Sequence, residues 1–177
     1  MKGKTLEALS ERLNCFLINN VKIIPKRWKK FIAYFYTDAI VRKLYWRELN
    51  VFMGERTYAN IGMIADATEE APVIIGNNVS IAPYVSFIST SEPNNGQEIK
   101  QIAYVKNRCI KEKEIIVEDE VWLGANVTIL PGVTIGKCSV IGAGALVIDN
   151  VEPYSIYAGV PARKIRDLDM GDTIDDK

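Results

Sequence analysis

The side chains available for chemistry are carboxylates, hydroxyls, amides and cations, because the 177-residue chain contains no histidine. That removes imidazole bases, His-dependent catalytic triads and His-ligated metal sites together. Cys15, Cys109 and Cys138 show neither disulfide pairing arithmetic nor zinc-site spacing, and they fit a reduced, cytoplasmic setting. Polar and charged residues gather in one irregular stretch, Ser89 to Glu114, around Pro93, Asn94, Asn95 and Gly96. Cations gather in two places. Residues 1–50 hold eleven Lys/Arg against four Asp/Glu, and Pro161–Arg166 reads PARKIR. The formal net charge of the whole chain is zero, so it lacks the global basic signature of a nucleic-acid binder.

The element that must position these groups runs from Val117 to Glu152 and repeats every six residues. Its first position holds Val117, Leu123, Ile129, Ile135, Ile141 and Val147. Its fifth holds Val121, Val127, Val133, Ser139, Ala145 and Val151, all small or β-branched. The second often holds Gly: Gly124, Gly136 and Gly142. Neither a helix nor a plain strand has this period, so the repeat is read before any single element. Three hexads close one triangular coil, with the first and fifth positions inside and Gly supplying backbone angles near the corners. A single coil cannot bury its own apolar face, so coils stack into a quasi-one-dimensional core.

The rest of the chain is arranged around that stack. Thr5 to about Asn19 reads as a helix, with Leu6, Leu9, Leu13, Phe16 and Leu17 along one side. A second helix is expected from Pro25 to about Leu49, with Trp28, Phe31, Ile32, Phe35 and Ala39 at helical spacing. Lys26, Arg27, Lys29, Lys30, Arg42, Lys43 and Arg47 flank it, so it either packs on the stack or a neighbouring subunit, or rests as a basic amphipathic surface on anionic lipid. Degenerate hexads begin near Val51 at Met53-Gly54, Ala59-Asn60 and Ala65-Asp66, and a clean coil follows at Ile75, Ile81 and Phe87. The excursion 89–114 breaks the period, and a long loop leaving a rigid repeat is usually functional. No secretory leader is read at the polar start, and Phe31–Val41 is too short to span a bilayer. The expected organisation is a helical segment 1–50, a repeat domain 51–166 and an acidic, disordered tail 167–177.

The hexads, the loop, VWLGANVTILPGVTIG, VIGAGALV and AGVPARKIR together resemble the left-handed parallel β-helix acyltransferases, nearest the galactoside, maltose and nodulation-factor acetyltransferase branch. The resemblance covers about Tyr58–Arg166. It implies a mainly β left-handed parallel β-helix with N-terminal α-helices, acetyl-CoA as co-substrate, and a homotrimer whose sites are shared between subunits. It also implies that Ala125 and Ala143 approach the pantetheine arm, and that Arg163, Lys164 and Arg166 meet the nucleotide phosphates. Tyr58 and Asn60 match a Tyr-Ala-Asn motif whose Asn lies in the family's active site, so the resemblance implies that Tyr58 and Asn60 bind the substrate and that Asn60 acts in catalysis by positioning the acceptor or the thioester carbonyl. Three positions depart from the pattern. Ile148 and Asp149 stand where the family often has Thr-Lys, and Glu92 stands where it has its catalytic His before a Pro.

That replacement decides the candidate chemistry. A positioned general base is worth roughly 10²–10⁴-fold to a hydroxyl nucleophile. An ordinary glutamate, with a pKa of about 4.3, is a weak base unless burial raises it. A neutral amine attacks a thioester unaided. Three readings therefore stand: O-acetylation of a saccharide in surface-polysaccharide or glycan synthesis with Glu92 as base, N-acetylation of an amino sugar, and a non-catalytic trimeric scaffold. In each the protein is cytoplasmic, with a peripheral contact to the inner membrane face through the basic N-terminal helix as an added expectation.

Overall fold

The structure, a computed structural model, describes residues 2–168. The acidic tail lies outside the described residues except for Asp167 and Leu168. Asp167 ends a strand, and the Leu168 amide donates to the Tyr154 carbonyl at 2.7 Å.

The hexads fold as their period demands. Three parallel sheets form the sides of a prism. The first stacks β1 (Val51–Met53), β4 (Val73–Ile75), β9 (Ile115–Val117) and β12 (Thr134–Ile135). The second stacks β2 (Tyr58–Ala59), β5 (Ser80–Ile81), β10 (Trp122–Leu123), β13 (Val140–Ile141) and β15 (Ser155–Ala158), and β16 (Arg163–Asp167) closes it antiparallel to β15. The third stacks β3 (Ile64–Asp66), β6 (Ser86–Ile88), β11 (Thr128–Ile129) and β14 (Leu146–Val147). Successive strands along the chain visit the three sheets in turn, which is the path of a three-sided parallel β-helix.

Every first-position aliphatic from Val117 to Val147 is buried, and so is every fifth-position residue from Val121 to Val151. Full burial of one such side chain is worth about 1.5–3 kcal/mol, and the stacking supplies it repeatedly. Ser139 is tolerated among the valines because its hydroxyl lies 2.6 Å from the Gly136 carbonyl and 2.8 Å from that of Glu152. In the first coil Thr57 holds the same place, donating to the Gly76 carbonyl and accepting from the Val79 amide.

The corner glycines act differently from the expectation. The left-handed conformation falls at the fourth position, where Glu120, Asn126, Gly132, Cys138 and Gly144 all have φ between 55° and 85°. The second-position glycines are needed for closeness. A Cβ on Gly124 would stand 2.6 Å from the Ala143 amide nitrogen, and one on Gly136 would stand 2.5 Å from that of Pro153.

The helical segment also needs correction. The single helix expected over 25–49 is two, α2 (Lys26–Phe35) and α3 (Ala39–Arg47). Asp38 caps the second: its Oδ1 accepts from the Ile40 and Val41 amides at 2.8 and 3.0 Å. The first helix, α1 (Lys2–Asn19), docks on α3, where the buried Tyr45 hydroxyl donates to the Leu17 carbonyl at 3.0 Å. Val41, Tyr45 and Trp46 join the same core as the coils. Arg42, expected on a basic outer face, is buried instead. Its guanidinium donates to the carbonyls of Tyr36, Thr37 and Ala59, which fastens the helix break to the first coil. Lys43 reaches the Gly54 carbonyl and sits 5.1 Å from the Tyr58 ring centre.

Candidate functional site

Glu92 stands at the end of a short antiparallel ribbon. The excursion leaves the third sheet as β7 (Thr90–Ser91) and returns as β8 (Lys111–Glu112), pairing Thr90 with Glu112 and Ser91 with Lys111. Between them lie a 3₁₀ turn at Ile99–Gln101 and a π-turn at Val105–Cys109. A tight turn follows Glu92: its carbonyl accepts from the Asn94 amide at 3.0 Å, and the Pro93 carbonyl accepts from Gly96 at 3.0 Å. The ribbon is pinned at its base, where the Thr90 hydroxyl meets Asp66 at 2.6 Å and the Thr68 hydroxyl meets Glu112 at 2.7 Å. These residues line a cavity of about 580 Å³ with Glu92 at its wall. The Glu92 side chain is 51% exposed, and its nearest cation is the Lys100 ammonium at 4.0 Å.

Asn60 lies at a different corner, where the second sheet turns into the third. Its amide donates to the Ile81 carbonyl at 2.8 Å, fastening the first coil to the next. With Arg56, Tyr58, Ser80, Pro83 and Trp122 it lines a cavity of about 420 Å³. Strand register puts Asn60, Ala82, Gly124 and Gly142 on successive coils of this edge. At about 4.8 Å per coil, the edge runs roughly 14 Å from Asn60 to Gly142. Its far end is stripped of bulk. Ala125 and the exposed Ala143 carry only methyl groups, and a Cβ added at Gly144 would meet nothing within 4 Å. Such a ledge offers backbone polar groups to a thin, amide-bearing chain without steric obstruction.

The three PARKIR cations sit in β16 at the end of the stack. The Arg163 guanidinium lies 3.5 Å from the Asp149 carboxylate, so the acid that replaces the family's Lys faces this arginine. Lys164 lies 2.6 Å from both Glu152 and Asp167, and hydrogen bonds to Asp167 first and Glu152 second push its ammonium pKa above the ordinary lysine value. The Arg166 Nε donates to the Asp167 carbonyl at 3.1 Å. Arg163, held by a loose, solvent-exposed contact to Asp149 and a 3.0 Å bond to the adjacent Ala162 carbonyl, is more readily turned toward a phosphate than the doubly paired Lys164.

The structure thus brings Asn60, Tyr58, Ala125 and Ala143 to one edge. It puts Glu92 at another, in a cavity that shares no lining residue with that of Asn60. Sequence reasoning missed Trp122, which projects outward beside the Asn60 cavity, and Asp66 and Glu112, which flank Glu92. Trp122 was legible as the outward residue preceding the inward Leu123. Glu112 comes beside Glu92 through ribbon pairing and Asp66 through coil stacking on Ile88, and no local pattern announces either.

Sheet order, coil spacing and the small-residue edge define a class: a hexapeptide-repeat left-handed β-helix with one loop excursion. The family profile for bacterial transferase hexapeptide (six repeats) matches residues 114–149. It is 38% identical over 123 residues to the galactoside O-acetyltransferase of Escherichia coli strain K12, spanning 70% of this chain and 57% of that protein. The chain thus matches little more than half of that relative's length. Among solved structures, a galactoside acetyltransferase in complex with coenzyme A superposes with a TM-score of 0.64 at 29% identity, covering 81% of this chain and 79% of the other. A hexapeptide-repeat acetyltransferase from Vibrio cholerae complexed with acetyl coenzyme A gives 0.65 at 28% identity, covering 81% and 85%.

Proposed function

We propose that the protein is an acetyl-CoA-dependent O-acetyltransferase acting on a saccharide hydroxyl. The observation that carries this reading is the stripped edge at Gly124–Ala125 and Gly142–Gly144, aligned with Asn60, in a chain similar to acetyltransferases solved with coenzyme A and acetyl coenzyme A. The pantetheine arm runs along that edge with its amides against the backbone, and Arg163 serves the phosphates, aided by Lys164 and Arg166. Tyr58 and Trp122 offer aromatic faces to a sugar, and Asn60 orients the acceptor or the thioester carbonyl. Glu92 takes the proton of the attacking hydroxyl. The hydroxyl oxygen bonds to the acetyl carbon, and the sulfur leaves as CoA thiolate. Backbone amides stabilise the oxyanion in between.

Because Glu92 and Asn60 occupy separate edges of one prism, this mechanism needs the Glu92 loop of one subunit against the Asn60 edge of its neighbour. A cyclic homotrimer supplies three such sites. Location follows from the same reading: a cytoplasmic protein in surface-glycan synthesis.

One observation favours a second reading, N-acetylation of an amino sugar. Asp66, Glu92 and Glu112 outnumber Lys111 around one cavity, a balance that would attract an ammonium, and a neutral amine needs no strong base. The deciding experiment measures free thiol released from acetyl-CoA against a panel of hydroxyl and amino sugars. Acceptor-dependent release with a neutral sugar supports O-acetylation, and release confined to amino sugars supports the second reading. The same background hydrolysis with every acceptor would overturn both in favour of a non-catalytic scaffold.

A further inference from the structure

We infer that the outward face of α2 rests on an anionic lipid bilayer. Residues 21–35 hold five Lys/Arg and no Asp/Glu. Helix α2 buries Ile32 and Ala33, yet leaves Trp28, Phe31 and Phe35 61%, 56% and 56% exposed. The three aromatics recur at helical spacing and form one stripe, with ring centres 6.1 Å apart for Trp28–Phe31 and 5.8 Å for Phe31–Phe35. Ile23, just before the helix, is 74% exposed and extends the apolar surface. An apolar patch of this kind rimmed by charge marks an interaction surface.

The charge says what covers it. Lys29 is tied to Glu48 at 2.6 Å, but Lys26, Arg27 and Lys30 have no ion-pair partner among the described residues. A second copy docked face to face here would set one positive rim against another. Lipid phosphates accept the rim, while the aromatics enter the boundary between headgroups and acyl chains. The contact is peripheral, since no described helix is long and apolar enough to cross a membrane. Docking here would hold the catalytic prism beside acceptors carried on lipid, which extends the proposed function without depending on it.

The test mixes the full chain, without CoA or acceptor, with sedimenting vesicles of phosphatidylcholine alone or with phosphatidylglycerol. Binding is expected only to the anionic vesicles and should weaken as salt screens the rim. The K26E/R27E/K30E variant should lose roughly tenfold or more in partition coefficient. W28S/F31S/F35S should also lose binding, with circular dichroism unchanged, because all three rings are already exposed. Failure of the wild-type chain to sediment, or equal sedimentation with neutral vesicles, would overturn the inference. So would a wild-type assembly that dissociates in W28S/F31S/F35S, because the face would then belong to a second copy. As acetyl transfer plays no part in the assay, failure here leaves the proposed function standing.

Discussion

At the scale of the residue, the question is how a carboxylate fills a place that the resemblance gives to an imidazole. Glu92 has no buried cationic partner; Lys100, at 4.0 Å, is its nearest cation. Glu92→Gln keeps the shape and the tight turn but removes the basic oxygen pair. Turnover on a hydroxyl acceptor should fall by roughly 10²-fold or more, with little change in CoA affinity. Glu92→His should hold or raise activity, with a rate that climbs through about pH 6.5 as an ordinary imidazole loses its proton. Steady-state kinetics across pH with all three proteins checks both outcomes. Full activity of Glu92→Gln on a hydroxyl sugar would remove Glu92 from the mechanism. Full activity confined to an amino sugar would favour the amine reading, since proton removal can follow attack there.

At the scale of the element, the helical layer is held together through groups that must stay protonated. Tyr45 and Tyr36 donate to the Leu17 carbonyl and the Asn14 side chain, at 3.0 and 2.6 Å. Burial, followed by the nearby Asp66, Asp38 and Glu48 carboxylates, raises the phenol pKa values of Tyr34, Tyr36 and Tyr45 respectively above the usual 10. The unfolded phenols ionise first. The stability these groups supply is therefore complete below about pH 10 and is lost as pH rises through their raised values. The urea midpoint should fall between pH 8 and pH 11, and the fall should be smaller in a Tyr34→Phe, Tyr36→Phe, Tyr45→Phe protein. An equal fall in both proteins would place the alkaline weakness elsewhere. This layer was also the least legible part of the sequence. Apolar spacing from Phe31 to Ala39 continues helically across a chain that actually breaks at Tyr36–Asp38. The capping aspartate was visible, but the guanidinium that fixes the break was not, because Arg42 reads as a surface cation until its three carbonyl acceptors are seen. The hexads were legible to the residue, since burial at two positions of six admits almost no alternative. The roles of the corner glycines were not, since closeness between coils is a property of the stack and leaves no local mark. Tyr58 and Asn60 were singled out by motif, whereas the place of Glu112 near Glu92 depends on pairing across some twenty residues of irregular chain.

At the scale of the whole molecule, the decisive fact is that the prism separates its own candidate residues. Asn60 sits where the second sheet meets the third, and the Glu92 ribbon leaves where the third meets the first. Rotating three prisms about a common axis parallel to the stacking direction can set one kind of edge against the other three times over, which closes the assembly. The mass in solution at micromolar concentration should be that of a trimer. A sharper consequence concerns mixed assemblies. Asn60→Ala and Glu92→Gln should each be nearly inactive alone. Unfolded together and reassembled in equal amounts, they should regain activity, because some interfaces then pair an intact Glu92 from one subunit with an intact Asn60 from the next. Random mixing predicts recovery of roughly a quarter of wild-type sites, with the rest carrying one or both lesions. A trimer that regains no activity on mixing would mean each site lies within one subunit, so Glu92 or Asn60 would have to leave the assignment. A chain that stays monomeric would remove the shared site altogether, leaving Glu92 with no acceptor edge to serve.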